Sequence, residues 1–149
     1  MEHQILPAYI NLQNKLYQLA KQWKKVPLLA RTHGQAASPT SLGKEIMVCV
    51  ERLHHQIELF VSIPYAAKFG GATGNFNAHH IAYPKKDWVA LGNEFVEDVL
   101  GLQRMQFTTQ IEHYDHFAAH CDNLKRINNI LIDFSRDVWT YISMDYFKQ

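Results

Sequence analysis

Apolar side chains recur along most of the chain at helical spacing, and the rhythm fails in two short stretches. Ile5, Tyr9, Leu12, Leu16, Leu19 and Trp23 fall four and three residues apart, which predicts an amphipathic helix with one buried stripe. Its end is expected near Trp23-Lys24-Lys25, where cations suit the negative end of the helix dipole and Pro27 forbids continuation. Val26 to Ala30 then reads as extended. Ser38-Pro39 reads as the next helix start, with a hydroxyl cap and proline at the first helical position. The seam that follows is Leu42, Ile46, Cys49, Leu53, Ile57 and Phe60, closed by Pro64.

From Tyr65 to Tyr83 the pattern breaks. Gly70, Gly71 and Gly74 supply backbone freedom, and Asn75, Asn77, His79 and His80 supply polar groups, so irregular structure with one short helix is expected. Pro84 and Asp87 open a further helix through Leu91, Phe95 and Val99, stopped by Gly101. No glycine follows Gly101 and no proline follows Pro84. Phe117, Leu124, Leu131 and Val138 repeat every seven residues, with Ile127, Phe134 and Tyr141 three residues after the last three. One helix from about residue 115 to 145 would run roughly 45 Å, which outruns a compact domain of this size. Such a helix is expected to pack against other subunits or against sequence not present here. The fold class read from the pattern is all-α: an elongated antiparallel helical bundle with a very long C-terminal helix. Short extended segments are expected near 26–30 and 65–69.

Composition narrows the class. The 149 residues, 47% hydrophobic and 19% charged, make one domain with a real core and no disordered tail. Fifteen Lys and Arg against fourteen Asp and Glu give a net charge of +1, so there is no electrostatic case for nucleic acid or an anionic membrane. Cys49 and Cys121 both fall on apolar faces of predicted helices, which argues against a disulfide framework and for a reducing cytosol. No apolar run approaches the roughly 20 residues that span a bilayer. Met1-Glu2-His3-Gln4 lacks the basic and apolar regions of a secretory signal, so a soluble intracellular domain is expected. No repeat, low-complexity segment or linker is apparent.

His33 is the first candidate for chemistry. It lies in Arg31-Thr32-His33-Gly34-Gln35, a short polar loop between helical segments, and an unperturbed histidine titrates near ~6.5. Thr32 and Gln35 beside it offer hydrogen bonds to a polar ligand, although a surface histidine in a turn accounts for the same residues. Thr108-Thr109-Gln110-Ile111-Glu112 is the second. Thr109 with Glu112 makes a capping box for the long helix, leaving Gln110 to face a ligand. Gly70-Gly71-Ala72-Thr73-Gly74-Asn75 suits a phosphate loop or a tight turn, but no strand–glycine–helix unit surrounds it. His113, His116 and His120 share a helix face and could offer three nitrogens to zinc, yet His113 and His120 also fall in register with the heptad seam, where buried polar residues set register. The adjacent pairs His54-His55 and His79-His80 point apart on a helix.

Together these segments carry a resemblance that none carries alone. Pro27-Leu28-Leu29-Ala30-Arg31-Thr32-His33-Gly34-Gln35, Gly43-Lys44-Glu45, Gly71-Ala72-Thr73-Gly74-Asn75-Phe76-Asn77-Ala78-His79, Thr108-Thr109-Gln110-Ile111-Glu112 and Ile130-Leu131-Ile132-Asp133-Phe134-Ser135-Arg136-Asp137-Val138-Trp139 occur in family order. Over essentially its whole length the chain resembles the central helical domain of the adenylosuccinate lyases, within the fumarase and aspartase superfamily. The resemblance implies β-elimination of fumarate from adenylosuccinate and from the matching succinyl-aminoimidazole-carboxamide ribotide of purine synthesis. It implies a nucleotide substrate, no metal or organic cofactor, a homotetramer and a cytoplasmic location. It assigns His33 to the general acid that protonates the leaving nitrogen, and Thr32 and Gln110 to substrate contacts.

Departures from the family pattern are equally specific. The family's base is a serine on a glycine-rich loop that this sequence does not contain. An earlier threonine-serine segment is absent, as are the lysine, asparagine and arginine contacts of the C-terminal part. Ala36 stands where many members have proline, and His113-Tyr114 replaces a proline-histidine pair. The expectation is a fragment, residues 1–149 forming the central helical domain and catalytically incomplete alone. The rival readings are a non-catalytic helical assembly module and a metal-binding helical protein.

Overall fold

The computed structural model describes residues 3–148. Met1 and Glu2, part of the start read as lacking a signal, lie outside the described residues. The contacts divide the chain into two compact units. One holds the residues up to Val61 and from Asn123 onward, and the other holds Ser62–Asp122. Both borders fall inside or at the end of helices, so no linker composition marks them.

In the first unit, α1 (Ile5–Gln22) leads into a hairpin of β1 (Pro27–Thr32) and β2 (Gln35–Ser41), then α2 (Leu42–Ser62). The helix α5 (Asp115–Ser143) returns from Asn123 on. Leu16 and Ala20 of α1, Ile46, Cys49, Val50 and Leu53 of α2, and Ile127 and Ile130 of α5 form the core. The α2 seam buries as its spacing predicts, whereas in the α1 seam Leu16 is buried and Tyr9, Leu12, Leu19 and Trp23 pack half-buried against the core. Gly43 lets α2 start hard against the end of α1: its N–H donates to the Trp23 carbonyl at 3.1 Å, and a Cβ there would overlap the Ala20 carbonyl oxygen.

The helix start expected at Ser38-Pro39 lies three residues too early. Both residues belong to β2, where Pro39 pairs with Leu29, and Ser41 is the residue whose Oγ accepts the Lys44 N–H at 3.3 Å. A serine three residues downstream offers the same cap, and hairpin pairing decides between them. All-α is thus too narrow. The molecule is mostly helical, but among the described residues it also holds two small two-stranded sheets.

The long helix is present, about 44 Å over its 29 residues. Its buried stripe runs through His120, Asn123, Ile127 and Ile130; of the expected seam, Ile127 lies in it, Leu131 and Phe134 pack half-buried against the core, and Phe117 is exposed. Asn123 can be buried because its Nδ2 donates to the Gln56 carbonyl at 3.1 Å, so a polar residue carries part of the stripe that hydropathy assigns to its apolar neighbours. Cys121 is exposed rather than on the apolar face, and Cys49 is buried as expected.

In the second unit, β3 (Ala66–Ala67) pairs in parallel with β4 (Gln103–Arg104). Between them lie α3 (Asn77–Ala82), α4 (Trp88–Asn93) and a π-helical segment (Glu94–Val99). Asp87 caps α4 by accepting the Ala90 N–H at 2.9 Å, as its position suggested. The helix expected to run to Val99 instead widens to π geometry from Glu94. Arg104 organises this unit. It is 5% exposed, and its guanidinium donates to Asn93 Oδ1, Gln106 Oε1 and the Phe69 carbonyl while lying over the Phe76 ring. Phe69, Phe76, His79 and Trp88 close an aromatic cluster beside it.

Candidate active site

Arg31 to Gln35 is the tip of the β1–β2 hairpin rather than a free loop between helices. Thr32 pairs with Gln35, so His33 and Gly34 are the two central residues of the turn, with φ of +50° and +74°. Positive φ at both positions is the tight turn that matches the twist of the flanking strands. Glycine takes it without cost, whereas a histidine there is held by the pairing on either side. The imidazole is consequently carried on an exposed apex, with Thr32 next to it.

Arg31 fixes the apex. Its guanidinium donates to the Gly34 carbonyl at 3.1 Å and to the Tyr146 hydroxyl at 3.2 Å, and it lies over the Tyr146 ring. The chain reaches that position because it turns back after α5, where the Tyr146 N–H donates to the Tyr141 carbonyl and Phe147 packs onto the core. Arg31 thereby joins the hairpin tip to the turn after α5, while Leu28 nearer the hairpin's base packs against the core.

Tyr146 also borders a cavity of about 610 Å³ lined by Leu19, Trp23, Glu45, Asp137 and Tyr141 among others. Neither Thr32 nor His33 lines it. Burial pushes the Tyr141 hydroxyl pKa up, and the Glu45 and Asp137 carboxylates and Tyr146 push it in the same direction. Desolvation likewise raises the Cys49 thiol, against a smaller opposing pull from Arg52 and with a further push from Asp137. Both groups are held neutral near pH 7, which suits core packing and not nucleophilic chemistry.

Gln110 belongs to the second unit, on an irregular segment before α5, with its side chain exposed. The capping box expected from Thr109 and Glu112 does not form, because α5 begins only at Asp115. The Glu112 carboxylate instead accepts the N–H of Tyr114 at 2.7 Å, a residue at φ +63°, and so steadies the bend into the helix. The glycine-rich segment is a tight turn: Phe76 N–H returns to the Gly70 carbonyl at 2.8 Å, and Lys68 Nζ donates to the Gly71 carbonyl at 2.6 Å. Among the described residues no group of three or more His, Cys, Asp or Glu side chains is placed to hold a metal ion, so His113, His116 and His120 do not converge. His120 instead stacks on Tyr65 with ring centroids 4.7 Å apart. No helix among the described residues is long and apolar enough to cross a membrane.

A family model described as a lyase matches residues 1–149, and the chain belongs to that family. Its relatives make the membership more particular. The chain is similar to the adenylosuccinate lyase of Dictyostelium discoideum, 60% identical over 136 residues that cover 90% of this chain and 29% of that protein. It is similar to the adenylosuccinate lyase of Escherichia coli K12, 45% identical over 145 residues, covering 97% of this chain and 32% of the relative. The Vibrio cholerae enzyme of the same name is 43% identical over 145 residues. The chain therefore spans about a third of the length of the curated relatives it matches.

Proposed function

We propose that this chain supplies the proton-donating part of an adenylosuccinate lyase active site. The reaction is β-elimination, releasing fumarate from adenylosuccinate and from succinyl-aminoimidazole-carboxamide ribotide. Such an elimination needs an acid at the leaving nitrogen and a base at the adjacent carbon. His33 is the acid, Thr32 and Gln110 contact substrate, and the base lies outside these 149 residues. The observation that carries the reading is the presentation of His33 on a two-residue turn clasped by Arg31, within a chain 60% identical to an adenylosuccinate lyase. The central-domain role, catalytic incompleteness, a tetrameric parent and a cytoplasmic setting belong to the same proposal.

The test is fumarate release, followed by the loss of adenylosuccinate absorbance, for the 149-residue chain and for a full-length lyase carrying it. The short chain is expected to show no turnover. His33→Ala in the long one is expected to lower kcat by about 10²–10⁴, the range for removing a general acid. Turnover by the short chain overturns incompleteness, and an undiminished variant removes the acid role.

A second reading, a non-catalytic assembly module, is favoured by one feature. Ile132 and Trp139 are 50% and 71% exposed one heptad apart on α5, where they border a shallow groove with Leu131 and Arg136. An apolar stripe of that kind suits a second helix. Light scattering after size exclusion reads it directly, and a monomer at tens of micromolar would remove it.

A further inference from the structure

The glycine-rich turn is the one motif that neither a phosphate role nor the proposed chemistry has absorbed, and its packing gives it a task. Three layers of backbone lie in contact. A Cβ on Gly70 would come within 2.9 Å of the Gly74 carbonyl oxygen and 3.0 Å of the Gly74 Cα. A Cβ on Gly74 would overlap the Thr108 carbonyl oxygen and come within 3.0 Å of the Thr108 carbonyl carbon and 3.1 Å of the Thr109 oxygen. Thr108 and Thr109 lead directly into Gln110. Lys68 anchors the far side of the turn through the Gly71 carbonyl. Gly74 itself is at φ +77°, so glycine is needed there both for its backbone and for the space it leaves.

We infer that Gly70 and Gly74 are positioning residues: their bare backbones form the seat against which Thr108-Thr109 rests, and that seat fixes where Gln110 meets the substrate. The inference rests on the reading of Gln110 as a substrate contact. Because the contacts are with backbone atoms, the neighbour cannot yield by rotating a side chain; the whole segment must move. Gly71 provides the contrast. It has nearly the same φ, +75°, but a Cβ there would meet the His79 ring at 3.2 Å, a side chain that can give way.

The experiment uses the full-length lyase and reads KM and kcat separately for Gly74→Ala, Gly71→Ala, Gln110→Ala and the double variant Gly74→Ala/Gln110→Ala. Gly74→Ala is expected to raise KM about tenfold or more with kcat within about threefold, since displacing a contact by about an ångström forfeits its binding. Gly71→Ala, which bears the same backbone strain, is expected to leave KM within about threefold. In the double variant the Gln110 substitution adds little, because its contact is already lost. Equal KM changes at Gly71 and Gly74, or fully multiplicative effects, overturn the inference. If Gln110→Ala leaves KM unchanged, the substrate-contact reading fails instead. Where Gly74→Ala does not fold, Gly70→Ala presses Gly74 onto Thr108 without a left-handed backbone and is expected to raise KM in the same sense. The unmodified enzyme gives an independent answer. Fumarate with AMP should slow amide exchange at residues 70–76 together with 108–110, and slowing at 108–110 alone overturns the inference.

Discussion

The two units are held together by different physics. In the first, Leu16, Leu53 and Ile127 meet across three helices, and the stabilising quantity is apolar area removed from water. In the second, the central side chain is a cation: Arg104 is 5% exposed and occupied by one amide oxygen of Asn93, one of Gln106 and the Phe69 carbonyl, with Phe76 beneath it. An apolar core tolerates repacking so long as volume is kept. A buried guanidinium tolerates less, because a replacement must do without its hydrogen bonds to Asn93, Gln106 and the Phe69 carbonyl. The first unit accordingly carries its candidate acid on an exposed hairpin, whereas the second fixes its candidate contact by backbone on backbone.

The comparison can be broken by four measurements. Ile127→Ala, at 0% exposure, should cost about 4 kcal/mol in urea unfolding, within the range for truncating a large core aliphatic. Arg104→Leu should cost about 3 kcal/mol, with amide protection lost first over residues 66–106. A neutral or stabilising effect would show that burial of this cation is not what holds the second unit. Arg31→Ala should change stability by less than about 1 kcal/mol, since its partners are exposed. In the full-length lyase it should nonetheless lower kcat while His33 is untouched, and unchanged turnover would free the hairpin from its clasp. The smallest effect is with pH. Cys49 and Tyr141 have raised pKa values in the fold, so above the ordinary thiol value of 9.0 the unfolded chain sheds protons that the folded one keeps. Stability contributed by these groups is therefore complete below pH 9 and falls as pH rises beyond it. Cys49→Ala should flatten that fall, read from urea midpoints between pH 8 and 10.

Much of the first unit was legible because its chemistry is periodic. The seam from Leu42 to Phe60 buries as spaced, the seam from Ile5 to Trp23 turns its stripe toward the core with Leu16 at its centre, and the extended stretch after Pro27 is a strand. The hairpin turn was harder. His33-Gly34 lacks the asparagine-glycine signature of such turns, and Gln35 to Pro39 is exposed throughout, so no alternation marks β2. Ser38 and Ser41 are equivalent as caps until pairing with Leu29 removes the first. In the second unit Arg104 reads as a surface cation, and only its folded neighbours reveal otherwise. Thr109 and Glu112 match a capping box in sequence, but the left-handed Tyr114 moves the helix start past both. His33, Thr32 and Gln110 were legible as polar groups off the helical rhythm, and resemblance to a family supplied their roles. The parts played by Arg31 and Gly74 were not legible, because neither a clasp nor a seat leaves a mark on composition.

The backbone at position 33 has a consequence for the handedness of the residue it carries. A φ of +50° is the mirror image of what L-amino acids prefer, and is the ordinary preference of their D-enantiomers. Chemical ligation of a D-histidine at this one site would relieve the turn while sending the imidazole off the opposite side of the chain. Such a protein should be at least as stable as the natural one and unable to protonate the same nitrogen. The energetics of the turn and the aim of its proton would then be separated by stereochemistry alone.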